Sequence, residues 1–298
     1  VPDESLREVD KLDAERRGIT IAEAKVHPGF RDPIERLYFP PNNLVTNVVV
    51  ALNHRLGKIA HVLREHGLTE KRIQMVHSLN SNRETNVGLC EEADLAVGLG
   101  SKLTSELTVS LRYQNKKVIK LTPGIFSEFA DLNHADENGV NFRILVLSGN
   151  ESTEFRDDRF HIAAQTISSL RDSSFYLVVI GVEKDKRSEF LKKCRENDVA
   201  EQQLIMKDYP VGEEDLKRLF CEVDLAILLS AKDECGLIAL CALSAGLPLY
   251  VCGDSAFADS LREVPFGRAS IIENAEKFEN WTRPIKDAKV ADRKFRLN

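Results

Sequence analysis

The chain has 298 residues, of which 43% are hydrophobic and 30% charged, with a formal net charge of −6 and a pI near 5.8. This balance is that of a globular protein with one or two packed cores, and it offers no basic surface for nucleic acid. No apolar run approaches the roughly 20 residues that a membrane span needs. The N-terminus lacks the regions of a signal peptide, and because the first residue is valine we expect a fragment of a longer protein.

Six cysteines are scattered along the chain, without a C-x-x-C pair or a histidine at metal-ligand spacing. We therefore predict no zinc site and no redox dithiol. Four of the six lie in apolar strand or helix patterns, where buried free thiols are common. This cysteine usage favours a cytoplasmic location.

The first 44 residues precede any regular pattern. They contain a charged, helix-prone segment (4–16), a predicted short strand (19–24) and an irregular, proline-rich connector (27–44). A regular alternation then begins, with strands predicted over 45–52, 72–77, 94–98 and 117–121 and helices over 56–65, 83–92 and 102–112. These strands are almost wholly apolar, which is typical of parallel strands buried on both faces by helices.

A polar stretch at 131–141 is the predicted linker, and the alternation restarts after it. Strands are predicted over 143–147, 175–180, 203–206, 224–229, 248–252 and 269–272, and helices over 160–170, 188–196, 214–221 and 236–245. The predicted fold is α/β, with two Rossmann-like, doubly wound parallel-sheet domains. The first covers residues 1–138 and the second residues 139–298, and we expect a ligand site in the cleft between them.

The main functional pattern lies in residues 232–248. Their order predicts the end of a strand, a glycine turn, a helix of small residues, a glycine, a proline and a further strand. Gly236 would let the backbone approach a ligand at a helix N-terminus, where free N–H groups and the helix dipole favour phosphate. A tight strand-to-helix turn with close packing and no ligand fits the same pattern, and the residues alone leave both interpretations open. The sequence contains no G-x-x-x-x-G-K, H-E-x-x-H or G-x-S-x-G motif.

Residues 232–248 resemble the signature of the family-4 (group 1) retaining glycosyltransferases, in which an acidic residue, F-G-L and a second Glu precede a small-residue helix and G-x-P. Residues 141–149, 220–226 and 261–267 resemble further C-terminal segments of that family, and 56–58, 76–77, 93–97 and 122–126 fall in the expected N-terminal order. The resemblance covers residues 20–285. It implies a GT-B arrangement whose N-terminal domain lacks its first strand and helix.

The resemblance also implies where a nucleotide sugar would bind. Asp233 and His77 fall on catalytic-site positions, no metal is implied, and the donor-binding positions are Gly149, Asn150, Arg159, Glu234, Gly236, Leu237 and Cys241. A structural role fits His77 as well, and a solvated charged turn fits Arg159.

Several polar positions depart from the family pattern. The second signature Glu, which holds the ribose hydroxyls of the donor, falls on Cys241, and a thiol is a poor acceptor for two hydroxyl groups. The Arg and Lys that neutralise the departing diphosphate fall on Asn150 and on Asp158 or Arg159. Losing these cations would remove electrostatic stabilisation of the transition state.

These departures favour a glycosyltransferase-like domain that is catalytically impaired and acts as a binding or scaffolding module, with further domains flanking it. The alternative is an active retaining transferase that uses a UDP- or GDP-sugar as substrate, not as cofactor, through Asp233, Arg159 and His77. A third interpretation, an epimerase-like enzyme on the same fold, has no acid–base constellation in its favour. The expected ligand is a nucleotide sugar or another small molecule, and neither a nucleic-acid partner nor a membrane span is predicted.

Overall fold

The computed structural model describes residues 8–22, 32–40, 44–79, 82–130, 132, 141–147, 159–182, 184–210, 212–230 and 236–290. The chain divides into two compact units. The first ends at Leu121, and the second begins at Thr122 and also takes in Gly100–Lys102. The predicted boundary between residues 138 and 139 lies outside the described ranges and stays a prediction. Within those ranges, no helix is both long enough and apolar enough to cross a membrane.

The first unit is built on a four-stranded parallel sheet in the order β1-β2-β3-β4. Its strands are β1 (Thr46–Leu52), β2 (Thr69–Val76), β3 (Leu95–Leu99) and β4 (Val118–Leu121). Its helices are α1 (Glu8–Arg16), α2 (His54–Glu65), α3 (Arg83–Glu92) and α4 (Gly100–Ser110), with short 3₁₀ helices at Pro33–Tyr38 and Arg112–Gln114.

Close packing joins the helices of the first unit to its sheet. Gly57 on α2 allows the side chain of Gln74 on β2 to approach, since a Cβ at Gly57 would lie 2.4 Å from Gln74 Oε1. The fully buried Arg72 on β2 donates hydrogen bonds to the carbonyl of Gly57, at 3.3 Å, and to that of Leu89 on α3, at 2.9 Å. One arginine therefore ties two helices to the sheet.

The N-terminal segment differs from its prediction in two places. Residues 19–22 are not a strand, and the other two residues of the predicted strand, 23 and 24, lie outside the described ranges. Part of the predicted irregular connector forms the 3₁₀ helix Pro33–Tyr38. This helix forms because the side chain of Asp32 accepts a hydrogen bond from the N–H of Ile34 at 3.0 Å and proline occupies the first turn.

The second unit is built on a six-stranded parallel sheet in the order β10-β9-β8-β5-β6-β7. Its strands are β5 (Phe142–Leu147), β6 (Phe175–Ile180), β7 (Leu204–Lys207), β8 (Leu225–Leu228), β9 (Leu249–Cys252) and β10 (Ile271–Ile272). Its helices are α5 (Phe160–Leu170), α6 (Arg187–Glu196), α7 (Glu213–Cys221), α8 (Leu237–Ser244), α9 (Ala256–Arg262) and α10 (Glu279–Val290). Short 3₁₀ helices lie at Ser127–Phe129, Glu201–Gln203 and Gly267–Ser270.

Alternate residues of each central strand of the second unit enter two separate cores. On β5, Ile144 and Val146 belong to one core, which includes Trp281 of α10, and Leu145 and Leu147 belong to the other. Phe129 packs in the second core, beside the residues of α8. The sheet is therefore covered on both faces, as a doubly wound fold requires.

Candidate functional site

The strand order of the second unit fixes where a ligand would bind. Its strands run β5, β6, β7 away from the centre in one direction and β8, β9, β10 in the other, so the order reverses between β5 and β8. Leu147 and Leu228 are register partners at the carboxyl ends of these two strands. Open parallel sheets bind ligands outside the carboxyl ends of the strands at such a reversal.

The two predicted donor segments follow these two strands directly in the sequence. Gly149 and Asn150 come after β5, and Asp233 and Glu234 come between β8 and α8. All four residues, together with Asp158, lie outside the described residues, so their predicted roles stay predictions.

Gly236 precedes α8 with φ +67° and ψ 29°, in the left-handed region that favours glycine. A Cβ at this position would lie 2.6 Å from Cβ of Phe257, a buried residue of α9. No side chain of the described residues caps the helix, and its first intrahelical bond runs from the N–H of Leu240 to the carbonyl of Gly236 at 2.8 Å. The first turn, which begins at Leu237, therefore directs backbone N–H groups out of the helix end, the arrangement that favours an anion.

Cys241 lies about one turn into α8 and is half-buried against the core beside that helix. Burial, and to a lesser extent the nearby carboxylate of Glu213, raise the pKa of its thiol to about 11. The side chain is therefore a neutral thiol at physiological pH. It provides a weak acceptor where a carboxylate would accept two hydrogen bonds.

Arg159, immediately before α5, lies at the same edge of the sheet. Its Nη1 donates a hydrogen bond to Sγ of Cys252 at 2.9 Å, and its Nη2 lies 3.7 Å from the carboxylate of Asp254. Burial is the main cause that raises the pKa of the Cys252 thiol. The guanidinium is thus directed toward the end of β9, and a carboxylate partly neutralises it.

His77 directly follows β2, at the carboxyl edge of the sheet of the first unit. The sequence interpretation did not include His54, which follows β1 at the same edge. Nε2 of His54 lies 3.3 Å from Nδ2 of Asn82, so the imidazole accepts this hydrogen bond. Burial lowers the pKa of His54, and the charges of Lys58, Arg55 and His77 add to that effect.

These contacts bring some of the predicted site residues together but leave others apart. In the second unit, Gly236, Leu237, Cys241 and Arg159 all belong to elements next to the switch between β5 and β8. His77 belongs to the other unit. Among the described residues, no group of three or more His, Cys, Asp or Glu side chains could hold a metal ion.

The fold of the two units is that of known glycosyltransferases. HepE of Anabaena, solved in complex with UDP and glucose, has a TM-score of 0.66 and 13% identity, over 97% of this chain and 81% of HepE. The UDP-forming α,α-trehalose-phosphate synthase of Burkholderia xenovorans, solved with glucose-6-phosphate, has a TM-score of 0.65 and 13% identity, over 89% and 70%. Sucrose-phosphate synthase of Thermosynechococcus elongatus has a TM-score of 0.60 and 14% identity, over 84% and 68%.

At these identities the likeness establishes the GT-B type of fold, with two Rossmann-like units, which confirms the predicted fold class. No curated protein sequence matches the chain. A family model, described as "Family 4 Glycosyltransferase in conflict systems", matches residues 1–294. The chain therefore belongs to the family 4 glycosyltransferases of conflict systems.

Proposed function

We propose that this chain is a ligand-recognition module of a conflict system: it binds a nucleotide sugar, or a related small molecule, at the switch between β5 and β8 without transferring the sugar. The family match supports the glycosyltransferase origin and the conflict-system setting. The observation that carries the proposed loss of transfer is Cys241, a thiol with a pKa raised to about 11 at the position where the sequence resemblance implies a carboxylate.

Arg159 supports the same proposal. A cation that stabilises a departing diphosphate must be directed at the place where negative charge develops. Here the guanidinium already contacts the Cys252 thiol and approaches the carboxylate of Asp254. Binding of a phosphate would have to compete with these contacts, and this reduces the gain in the transition state.

An active retaining transferase is the second candidate, and the N-terminus of α8 favours it. The left-handed turn at Gly236 before the first turn of α8 is a backbone geometry that suits a phosphate. In that case Asp233, Arg159 and His77 would contact the donor and acceptor. HepE, solved with UDP-glucose, is an example of the fold holding such a donor.

We propose further that the protein is cytoplasmic and that it acts together with other domains. Cys90, Cys241 and Cys252 are free thiols, which supports a cytoplasmic location. Its partners would be the small-molecule ligand and domains that flank it.

Calorimetry and a turnover assay on the same protein test the proposal. We expect UDP, GDP or UDP-glucose to bind weakly and saturably, and we expect no release of UDP from UDP-glucose above the rate of the buffer. Sustained release of nucleoside diphosphate would establish the transferase or a hydrolase instead. A protein that binds none of the three nucleotides would contradict both candidates.

The variant Cys241→Glu tests the residue that carries the argument. It restores a carboxylate at the position, and we expect UDP affinity to rise at least tenfold, which corresponds to about 1.4 kcal/mol. Leu243→Glu adds the same charge to a more exposed position of the same helix and is the matched control. An equal effect of the two variants on UDP affinity would show that Cys241 does not occupy a donor contact.

A further inference from the structure

Two strands of the first unit, β1 and β2, are each followed by a turn that contains a histidine. Residues 53–55, Asn-His-Arg, follow β1, and residues 77–79, His-Ser-Leu, follow β2, and neither triplet contains a carboxylate. Leu52 and Met75 are register partners in these two strands, and each histidine comes two residues after its strand's partner. His54 and His77 therefore leave the sheet next to each other at its carboxyl edge.

A lysine of α2 adds a positive charge beside the first histidine. Lys58 is four residues after His54, so the two side chains lie on one face of the helix. Lys58 is exposed and, within the part of the chain that the structure describes, forms no ion pair or hydrogen bond. Arg55, in contrast, is paired with the carboxylate of Asp32. The charge of Lys58 is therefore available to a ligand.

The imidazole of His54 experiences an excess of positive charge. Burial is the main cause that lowers its pKa, and the charges of Lys58, Arg55 and His77 lower it further. No carboxylate of the described residues is among the causes of the shift. An anion bound at this edge would supply the missing opposite charge.

The turn that carries His54 is held in a costly backbone conformation. Asn53 has φ 83° and ψ 172°, a region that belongs almost wholly to glycine and costs other residues about 1–3 kcal/mol. The fully buried Gln74 donates a hydrogen bond from Nε2 to the carbonyl of Asn53 at 3.0 Å, and the N–H of Asn53 donates to the carbonyl of Met75 at 3.2 Å. Strain that is enforced in this way is concentrated at ligand sites.

The ring of His54 is oriented by an asparagine at the start of α3. Asn82 directly precedes this helix, where an asparagine side chain commonly accepts a hydrogen bond from the first turn. Here the side chain makes no such cap, and Nδ2 instead donates to Nε2 of His54 at 3.3 Å. The neutral imidazole therefore carries its proton on Nδ1, which can donate to a ligand.

We propose that His54, His77 and Lys58 bind the phosphate group of a small molecule, either a phosphate monoester or free phosphate. The lysine supplies the charge, and the imidazole N–H groups supply directional donors. These residues all belong to the first unit. The proposal therefore depends neither on nucleotide binding by the second unit nor on sugar transfer.

A nucleic acid fits this site less well than a small phosphate. Binding to a nucleic-acid backbone requires several cations spread along the strand, whereas this site offers one lysine and two imidazoles. The chain as a whole has a net charge of −6, which repels an extended polyanion. A single, compact phosphate group is therefore the ligand that the site favours.

Calorimetry on the full chain tests the proposal, with inorganic phosphate and glycerol 3-phosphate as probes at constant ionic strength. We expect at least one of the two to bind saturably. Tighter binding of glycerol 3-phosphate would identify a phosphate monoester as the ligand class, and tighter binding of inorganic phosphate would identify the free ion. Saturable binding of neither probe would overturn the proposal.

The variant Lys58→Gln tests the charge at the site. Because the side chain is exposed, we expect the melting temperature to stay nearly unchanged while binding of the probe weakens about fivefold or more. Lys117→Gln removes the same charge from another exposed lysine of the first unit, immediately before β4 and thus at the amino edge of the sheet. This control should change the affinity less than about twofold. Equal effects of the two variants would contradict the assignment of the site.

Nuclear magnetic resonance separates this site from a phosphate site elsewhere in the chain. A bound phosphate favours the protonated ring, so a saturating probe should raise the pKa of His54, followed through its Cε1–H resonance as the pH is varied. His54→Gln assigns the resonance. His66, which is exposed at the other end of α2, should titrate identically with and without the probe. Binding that leaves the pKa of His54 unchanged would place the phosphate elsewhere, for example at the N-terminus of α8, and would overturn the proposal.

Discussion

Replacing Gly236 with alanine tests whether packing requires the glycine turn of the candidate site. Gly236 adopts φ +67°, a left-handed conformation that costs other residues about 1–2 kcal/mol. The added Cβ would lie 2.6 Å from Cβ of Phe257, and because the backbone fixes the position of a Cβ, no side-chain rotation relieves the contact. Overpacking of this kind costs about 1–3 kcal/mol. We expect Gly236→Ala to lower the free energy of unfolding by about 2–5 kcal/mol.

Gly67→Ala is the matched control for this experiment. Gly67 follows α2 with φ +68°, and a Cβ there would meet nothing within 4 Å. It should cost only the backbone part, about 1–2 kcal/mol. Urea unfolding followed by circular dichroism measures both variants. Equal losses in the two variants would refute the packing argument.

Three further predictions concern residues outside the candidate site. Phe266 is 93% exposed with φ +63°, so Phe266→Asn should raise the free energy of unfolding by about 0.5–1 kcal/mol, and Val264→Asn, the nearby control, should not. Arg72→Met should lower it by about 1–3 kcal/mol in urea titrations, because two carbonyls each lose one donor; unchanged stability would contradict this. Hydrogen bonds from Ser174 and Lys289 lower the pKa of Asp172 to about 2. The stability that this carboxylate adds is present above its unfolded pKa of about 3.9 and is lost as the pH falls toward 2, so Asp172→Asn should flatten this part of the curve of melting temperature against pH.

The hydrophobic pattern of the sequence predicts the bounds of several helices and strands. Helices 83–92 and 160–170 and strand 175–180 begin and end where the sequence indicates. The start of β2 is missed by three residues, because Glu70 and Lys71 break the apolar run while their backbone still pairs along β1. The prediction also omits α9, although the hydroxyl of Ser255 accepts a hydrogen bond from the N–H of Ala258 at 3.1 Å, and such a cap is a usable helix signal.

Contacts between distant parts of the chain were beyond the reach of the sequence. Arg159 and Cys252 are 93 residues apart, and they meet because the sheet order brings the end of β9 near the start of α5. His54 lies two residues after the end of β1, and its position near a predicted strand end was the only local signal for it. The roles of the donor-site residues remain predictions, since most of the polar ones lie outside the described ranges.

Helix α8 shows which positions of the glycosyltransferase-like signature are restricted by packing alone. Ala239 and Ala242 are fully buried, and Gly236 admits no side chain, so packing alone restricts these positions to small residues. Cys241 lies between them in the sequence but is only half-buried, and a change there need not disturb the core. The fold requires these small residues whether or not a sugar is transferred. The small residues that mark the family are therefore independent of the position that would contact a donor, Cys241. The half-buried thiol of Cys241 is therefore compatible with an intact fold, which is the condition that the proposed binding module must meet.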